Sequence, residues 1–243
     1  MRRANVLIVI LLASLALVLV ACGKDDPAGG DAVTTTRTQA ATTAAVRPRT
    51  SGDGCLAVAA ATPAANPNRR RSRRRLSRKR VYTATIRTNC GTIRIRLDVR
   101  RAPKTTASFA GLVRNKLFDG LAFHRIAKPG GNDFVIQGGD PLGTGDGGPG
   151  YTIVEAPPKG TRYRRYDVAM AKTRTEPPGS SGSQFFIVTA ADSGLPAQYA
   201  ILGKVVGDKH AVKRIAAVPT DPGLEAPLDP VVMSSVRITS RRR

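Results

Sequence analysis

Apolar and polar residues alternate with a period of two in two neighbouring stretches of the chain, "YTATIRT" (82–88) and "TIRIRLD" (92–98). Such alternation is typical of β-strands that bury one face, because successive side chains of a strand point to opposite sides. Asn89-Cys90-Gly91 lies between the two stretches and supplies turn residues. The pattern therefore predicts a β-hairpin.

Helical spacing of the apolar residues follows the hairpin. Pro103 suits the first turn of a helix, and Phe109, Leu112 and Val113 share one face of a helix that should reach about Lys116. A second helix is predicted over 208–217. Further strands are predicted at "AFHRI" (122–126), "FVIQGG" (134–139), "YDVAMA" (166–171), "SQFFIVT" (183–189), "AILGKVV" (200–206) and "PVVMSSVRIT" (230–239). Many short strands with two helices predict a mainly β fold, a closed barrel capped by helices.

The positions of the aromatic residues indicate the bounds of the folded domain. All Phe and Tyr residues lie between Tyr82 and Tyr199, and a packed core needs large apolar side chains, so one domain is expected over 81–240. Residues 23–80 are rich in Ala, Thr, Pro and Arg and cannot bury enough surface to offset chain entropy. We therefore predict a disordered tether over 23–80 and a basic tail over 241–243.

The N-terminus has the composition of an export signal. Arg2 and Arg3 precede an apolar run over 6–21, which is short for a membrane span of about 20 residues but suits a signal-peptide core. The run ends in Leu-Val-Ala-Cys, which resembles the lipobox of bacterial lipoproteins, whose cysteine is acylated. Residues 1–22 are thus predicted to be a lipoprotein signal peptide, with Cys22 as the lipidation site. The protein would be lipid-anchored at the extracytoplasmic face of the cell membrane. An uncleaved anchor is the alternative, and either way the rest of the chain is exported.

Much of the net charge of +22 is concentrated in one segment. Nine of the twelve residues at 69–80, "RRRSRRRLSRKR", are basic. Such a block is typical of a solvated, disordered arm, and attraction to anionic lipid or a wall polymer is the alternative. Nucleic acid is not an expected partner, because the run has no interleaved aromatic residues for base stacking.

Several common chemistries are disfavoured by the residues present. His124 and His210 are the only histidines, and there is no Cys-x-x-Cys motif. These residues argue against a zinc site, and we expect no metal ligands in this chain. "GSSGSQ" (179–184) does not match the nucleophile elbow of serine hydrolases. "GTGDGG" (143–148) matches G-x-G-x-x-G, but Pro-Gly and a strand-like run, "YTIVE", follow it where a nucleotide site needs a helix. We interpret these glycines as a tight loop.

Four segments together resemble cyclophilins, especially bacterial ones. They are "TNCGTIRIRLDVRRAPKTTASFAGLVRNKLFDGLAFHRI", "FVIQGGDPLGTGDGGPGY", "MAKTRTEPPGSSGSQFFIVTA" and "QYAILGKVV". The resemblance implies an eight-stranded antiparallel barrel capped by two helices. It also implies peptidyl-prolyl cis–trans isomerase activity on proline-containing polypeptides, with no cofactor and as a monomer.

The resemblance assigns the site residue by residue. Arg125 would donate to the prolyl nitrogen as the amide twists, with Phe134 and Gln137 completing the catalytic set. Substrate-binding positions would be Val135, Lys172, Gln184, Phe186, Leu195 and Tyr199. Lys172 stands where many members have asparagine, and Tyr199 stands at a histidine position. His124 is expected to be structural and to point to the other face of its strand.

The predicted function is isomerisation of X-Pro bonds, which assists the folding of exported proteins. One alternative is a non-catalytic chaperone module that binds proline-containing peptides while anchored at the cell surface. Another is docking by the basic arm, with the barrel as a scaffold.

The two remaining cysteines raise the question of a disulfide. Once Cys22 carries lipid, Cys55 and Cys90 are the thiols left in an exported chain, where disulfides persist. Pairing them would close the arginine run into a loop beside the domain. Two free or intermolecularly paired thiols are the alternative.

Overall fold

The computed structural model of the protein describes residues 54–63, 67–72 and 74–243. The predicted signal peptide and its lipidation site, Cys22, lie outside the described residues. In the part that is described, no helix is both long and apolar enough to cross a membrane.

Ten strands and two α-helices make up the described chain. In chain order they are β1 (Arg80–Thr88), β2 (Gly91–Leu97), α1 (Pro103–Arg114), β3 (Phe123–Ala127), β4 (Val135–Gly138), β5 (Ile153–Val154), β6 (Asp167–Met170), β7 (Ser180–Ser181), β8 (Phe185–Val188), β9 (Ile201–Val206), α2 (His210–Ala217) and β10 (Met233–Arg242). Every strand and helix predicted from periodicity is present. Helix α1 ends at Arg114, earlier than expected, and Lys116 has a positive φ of 54° that helical geometry excludes.

Eight of the strands form one antiparallel sheet in the order β10-β1-β2-β9-β6-β8-β4-β3. The sheet curls through 203°, a half-barrel, and its edge strands β3 and β10 share no ladder. A few backbone bonds do connect the two edges: the Met233 N–H donates to the Leu121 carbonyl, and Gly120 donates to the Met233 carbonyl, each at 2.8 Å. The mainly β fold with two helices is confirmed, whereas the sheet is not closed all round.

The apolar core lies inside the curl of the sheet and beneath α1. The inward residues of the hairpin, such as Ile86, Ile93 and Ile95, are fully buried, as the period-two pattern predicts. Phe109 of α1 packs against Phe118 and Phe185, with ring centroids 4.9 and 5.9 Å away. This core supports the inner side of the strands whose outer side carries the site.

The stretch before β1 contacts the folded domain, which differs from the predicted free tether. We call residues 54–63, 67–72 and 74–79 the strap. Cys55 forms a disulfide with Cys90, as the sequence allowed, and Leu76 is buried in the main core. A Cβ built on Gly111 of α1 would lie 2.5 Å from the Ser72 Cβ, so the strap crosses α1 closely at that glycine.

The predicted basic tail also differs from expectation. Arg241 and Arg242 belong to β10 and pair with Val81 and Arg80 of β1. Strand β10 is an edge strand, where charged side chains are common because they discourage pairing with another chain. The folded domain is therefore longer at both ends than 81–240.

Candidate active site

A β-bulge sets the orientation of Arg125. Strand β3 pairs with β4 from Phe123, opposite Gly138, to Arg125, opposite Gln137, so that His124 is the extra residue between them. Without the bulge, His124 would stand opposite Gln137. Bulges re-aim side chains in this way beside functional sites. The shift places the arginine and the glutamine side by side.

A chain of polar contacts runs through Arg125. Its Nε donates to Glu225 Oε2 at 2.6 Å, and its Nη1 donates to Gln137 Oε1 at 3.3 Å. Gln137 Nε2 in turn donates to Gln184 Oε1 at 2.9 Å. No described residue accepts a hydrogen bond from Nη2 of Arg125, so the N–H groups of this nitrogen are available to a substrate.

The glycine-rich loop fixes the far end of this chain. Gln184 Nε2 donates to the carbonyls of Gly145 and Gly147, at 2.6 and 2.9 Å. The loop wraps around Asp140, whose carboxylate accepts the backbone N–H groups of Leu142 and Gly145. A Cβ at Gly147 would lie 1.8 Å from Asp140 Oδ1, so only glycine fits. These glycines form a tight loop, as interpreted from the sequence.

An apolar cluster separate from the main core lies on the other face of β4 and β8. Consecutive phenylalanines of β8 point to opposite faces, so Phe185 enters the main core and Phe186 enters this second cluster. Every predicted apolar pocket residue belongs to it: Phe134, Val135, Phe186, Leu195 and Tyr199. Phe134, Leu195 and Tyr199 are only partly buried, which leaves an apolar surface near β3, the strand that carries Arg125.

Tyr163 supports this cluster and was missed by the sequence analysis. Its hydroxyl donates to the Tyr199 carbonyl at 2.6 Å and accepts the Tyr199 N–H at 3.0 Å. Burial raises the pKa of Tyr163 to about 12, so the hydroxyl stays protonated and able to donate. The rings of Phe186 and Tyr199 meet edge to face at 5.4 Å. Tyr163 thus positions one wall of the cluster, and an isolated tyrosine in a loop gave no sequence signal of it.

A groove of about 490 Å³ adjoins the polar chain. Its lining includes Gln137, Gln184 and Lys172. Lys172 Nζ donates to the carbonyls of Thr173 and Glu176, at 2.8 and 2.9 Å, and lies 5.8 Å from the centroid of the Tyr199 ring. The lysine therefore bridges the groove and the apolar cluster.

Glu225 is the second residue that sequence reasoning missed. It lies in the loop between α2 and β10 and has a φ of 54°. Its carbonyl accepts the N–H of Ile126, the residue after Arg125, at 2.8 Å. Glu225 is one of three acidic residues in a proline-rich loop and lies a hundred residues from the arginine, so no local sequence pattern reveals the contact.

His124 occupies the bulge and has the character of a structural residue. Both of its ring nitrogens are buried without a hydrogen-bond partner among the described residues. Burial lowers the pKa of His124, assisted by the charge of Arg125 and opposed by that of Asp140. The imidazole is therefore neutral near pH 7.

Sequence comparison identifies close relatives. A family model described as "Cyclophilin type peptidyl-prolyl cis-trans isomerase/CLD" matches residues 83–238. Peptidyl-prolyl cis-trans isomerase B of Streptomyces anulatus is 39% identical over 176 residues, covering 65% of this chain and 97% of the relative. Peptidyl-prolyl cis-trans isomerase A of Mycobacterium tuberculosis is 38% identical over 175 residues, covering 65% and 92%.

Solved structures agree with the sequence relatives. A cyclophilin type peptidyl-prolyl cis-trans isomerase of Cryptosporidium parvum superposes with a TM-score of 0.59 at 30% identity, covering 66% of this chain and 99% of that one. A structure of the same protein in the presence of the dipeptide Ala-Pro gives a TM-score of 0.58 at 30% identity, covering 65% and 99%. By fold and by sequence, the chain belongs to the cyclophilin-type peptidyl-prolyl cis–trans isomerase family and is an isomerase of that type.

Proposed function

We propose that the protein catalyses X-Pro rotation in exported polypeptides, with Arg125 as the catalytic residue. The observation that carries this proposal is the position of Arg125: fixed on one side by Glu225 and Gln137, with Nη2 free, in a strand next to a partly open apolar cluster. A proline ring suits the cluster, and an amide suits the guanidinium.

The chemistry needs no nucleophile. An amide resists rotation because the nitrogen lone pair is delocalised into the carbonyl, with a barrier of about 18–20 kcal/mol. When the bond twists, the lone pair localises on the prolyl nitrogen and becomes a hydrogen-bond acceptor. A donor that bonds this nitrogen only in the twisted state lowers the barrier rather than tightening ground-state binding. Arg125 is always charged and keeps its donors in a rigid fork, which suits that role.

The other predicted residues would hold the substrate while it rotates. Phe134, Phe186 and Leu195 would enclose the proline ring, and their fixed positions would resist rotation of that end. Gln137 has a second amide hydrogen that could bond the carbonyl preceding proline, while its Oε1 steadies the arginine. The carbonyl side of the bond would then turn against an immobilised ring.

The cellular setting is part of the proposal. A signal-peptide core ending in a lipobox supports export and acylation of Cys22, so the domain would work outside the cytoplasm on newly exported chains. Detergent phase separation of wild type and Cys22→Ala tests the anchor. We expect wild type in the detergent phase with an acyl mass at its N-terminus, and the variant in the aqueous phase; a wild-type chain without the acyl group contradicts the anchor.

A refolding experiment separates an isomerase from a non-catalytic chaperone. The full chain is added to an exported protein whose slow refolding phase is limited by proline isomerisation. An isomerase accelerates that phase at substoichiometric concentration. A chaperone module that only binds proline-containing segments leaves the rate unchanged and suppresses aggregation in proportion to its own concentration.

A further inference from the structure

The strap forms a groove with the start of α1, and the groove is lined with positive charge. It has a volume of about 1140 Å³. Pro103 and Ala107 of α1 form part of one wall, and Leu76 forms part of the other. The basic side chains that line it are Arg70, Arg71, Arg75, Arg78 and Lys104.

Two further basic grooves continue from the first. The second, of about 480 Å³, lies between the strap, β1 and the end of α1, and shares Arg75 and Leu76 with the first. The third, of about 770 Å³, follows β1, β2, β9 and β10 and shares Arg80 with the second. We call the three together the basic tract; its second and third grooves are lined by Arg74, Arg75, Arg80 and Arg114, and by Arg80, Arg96, Arg101, Arg162, Lys204, Arg241 and Arg243.

The positive charge of the basic tract is largely uncompensated. The carboxylates among its lining residues are Asp98 and Asp167, both in the third groove. Each is already paired, Asp98 with Arg101 at 2.6 Å and Asp167 with Lys204 at 2.9 Å. The first two grooves have no carboxylate among their lining residues. Like charges collected in this way repel one another, and an anionic ligand relieves that repulsion.

The strap is fixed to the domain at several points, so the charges are not carried by a free arm. The Cys55–Cys90 disulfide joins its start to the hairpin turn. The Arg69 N–H donates to the Pro149 carbonyl at 2.8 Å, and the Ser77 N–H donates to the Tyr82 hydroxyl at 3.1 Å. A ligand that binds charges already in place avoids much of the entropy loss of ordering a flexible arm.

From this geometry we propose that the basic tract binds a flexible linear polyanion that carries phosphate groups and lies along the three grooves in turn. Connected concave grooves fit a chain-like ligand, whereas a flat membrane surface would contact only their rims. The aromatic side chain that lines the basic tract is Tyr82, which is 8% exposed and whose hydroxyl is engaged by Ser77, so the tract has no face for stacking a nucleobase.

Binding at the basic tract leaves the candidate active site open. None of the residues that line the three grooves is among Arg125, Phe134, Gln137, Gln184 or Phe186. The strand residues of the third groove belong to β10, β1, β2, β9 and β6, whereas Arg125, Gln137 and Phe186 belong to β3, β4 and β8. The polyanion would therefore localise the isomerase without occupying its site, and this inference does not depend on catalysis.

Two charge-matched variants of the full chain test the proposal, with medium-chain inorganic polyphosphate as the probe. The first carries Arg71→Gln, Arg75→Gln and Arg96→Gln, three exposed positions that together touch all three grooves. The control carries Lys159→Gln, Arg174→Gln and Lys213→Gln, exposed positions that line none of them. Both variants lose the same charge, so a difference between them reports location. Isomerase activity checks that each is folded.

We expect wild type and control to bind polyphosphate with similar affinity and a steep salt dependence. The tract variant should bind more than about tenfold more weakly at low salt, and the slope of log affinity against log salt should fall by about 2 units, for three lost phosphate contacts. Equal weakening of both variants would show unspecific charge attraction and overturn the proposal. Tract-dependent binding to phosphatidylglycerol vesicles but not to polyphosphate, or tighter binding of a single-stranded oligonucleotide of equal charge, would also overturn it.

Discussion

The Arg125 guanidinium forms an ion pair with the Glu225 carboxylate, with Nε 2.6 Å from Oε2. The backbone of Glu225 is fixed next to it, because its carbonyl accepts the Ile126 N–H and its own N–H donates to the Asp221 carbonyl, both at 2.8 Å. The carboxylate therefore approaches the arginine from a loop that is bonded to the same strand. This relationship makes Glu225 a positioning residue for the guanidinium.

Substitution of Glu225 by Gln should lower kcat/KM by roughly threefold to fivefold, with the loss in kcat rather than in KM. The pair is partly exposed, so its loss corresponds to about 0.5–1 kcal/mol of orientation in the twisted state. Asp229→Asn, an exposed carboxylate in the same loop, is the control and should leave the rate unchanged. An equal loss in both variants would mean that Glu225 acts only through general charge or loop stability.

Removal of the Tyr163 hydroxyl should weaken both the pocket wall and the fold. Tyr163→Phe leaves the Tyr199 N–H and carbonyl without their partner, at a side chain that is 2% exposed, so we expect a loss of about 1–3 kcal/mol in the free energy of unfolding. KM for a prolyl peptide should rise. The control is Tyr166→Phe, because the Tyr166 hydroxyl bonds to no described residue. Denaturant titration that shows equal stability for the two variants would refute the role of the hydroxyl.

The disulfide should stabilise the domain substantially. Cys55 and Cys90 are 35 residues apart, and the loop-entropy model gives about 3–4 kcal/mol for a loop of this length. The double variant Cys55→Ser/Cys90→Ser should therefore lower Tm by roughly 5–15 °C. A reducing agent should lower the Tm of wild type to a similar value and leave that of the variant unchanged. Identical Tm values for oxidised and reduced wild type would contradict this account.

The buried ring nitrogens of His124 should make stability depend on pH. Its pKa is lowered in the folded state from 6.5, so below pH 6.5 the unfolded chain binds the proton first and the folded state loses stability. The free energy of unfolding is therefore highest above pH 6.5, where the imidazole is neutral in both states, and it declines as the pH falls. We expect the Tm of wild type to drop between pH 7.5 and about pH 5.5 more steeply than that of His124→Leu. Parallel pH profiles for the two proteins would show that the imidazole does not titrate in this way.

The parts of the fold that could be predicted from the sequence are those determined by local periodicity. The hairpin follows from alternation around Ile86 and Ile93, and α1 follows from Pro103 and the spacing of Phe109. The pair β5–β7 has only two residues in each strand, and Ser180–Ser181 has no apolar pattern to reveal it. The disulfide of the strap was considered from the sequence, but its docking through Leu76 and through single hydrogen bonds was not, because composition does not reveal such contacts.

The residues of the candidate site also divide into those that could be predicted from the sequence and those that could not. Arg125, Gln137 and Phe186 could be assigned because they lie in motifs that resemble the family, and the structure brings them together. The bulge at His124 could not be predicted, because the pairing register depends on the partner strand. Glu225 and Tyr163 act through contacts that are distant in sequence. Glu225 lies 100 residues from Arg125, and Tyr163 lies 36 residues from Tyr199. Such contacts depend on how the loops fold over the sheet.

The central claim is that Arg125 lowers the rotation barrier by donating to the twisted amide. The most direct measurement is the isomerisation rate of a prolyl peptide with wild type and Arg125→Ala, together with the affinity of each for the peptide. Loss of one preorganised donor to the transition state predicts a fall in kcat/KM of roughly 10²–10³ with a much smaller change in affinity. A kcat/KM of Arg125→Ala within about threefold of wild type would contradict the account, because the loss of one such donor lowers the rate far more.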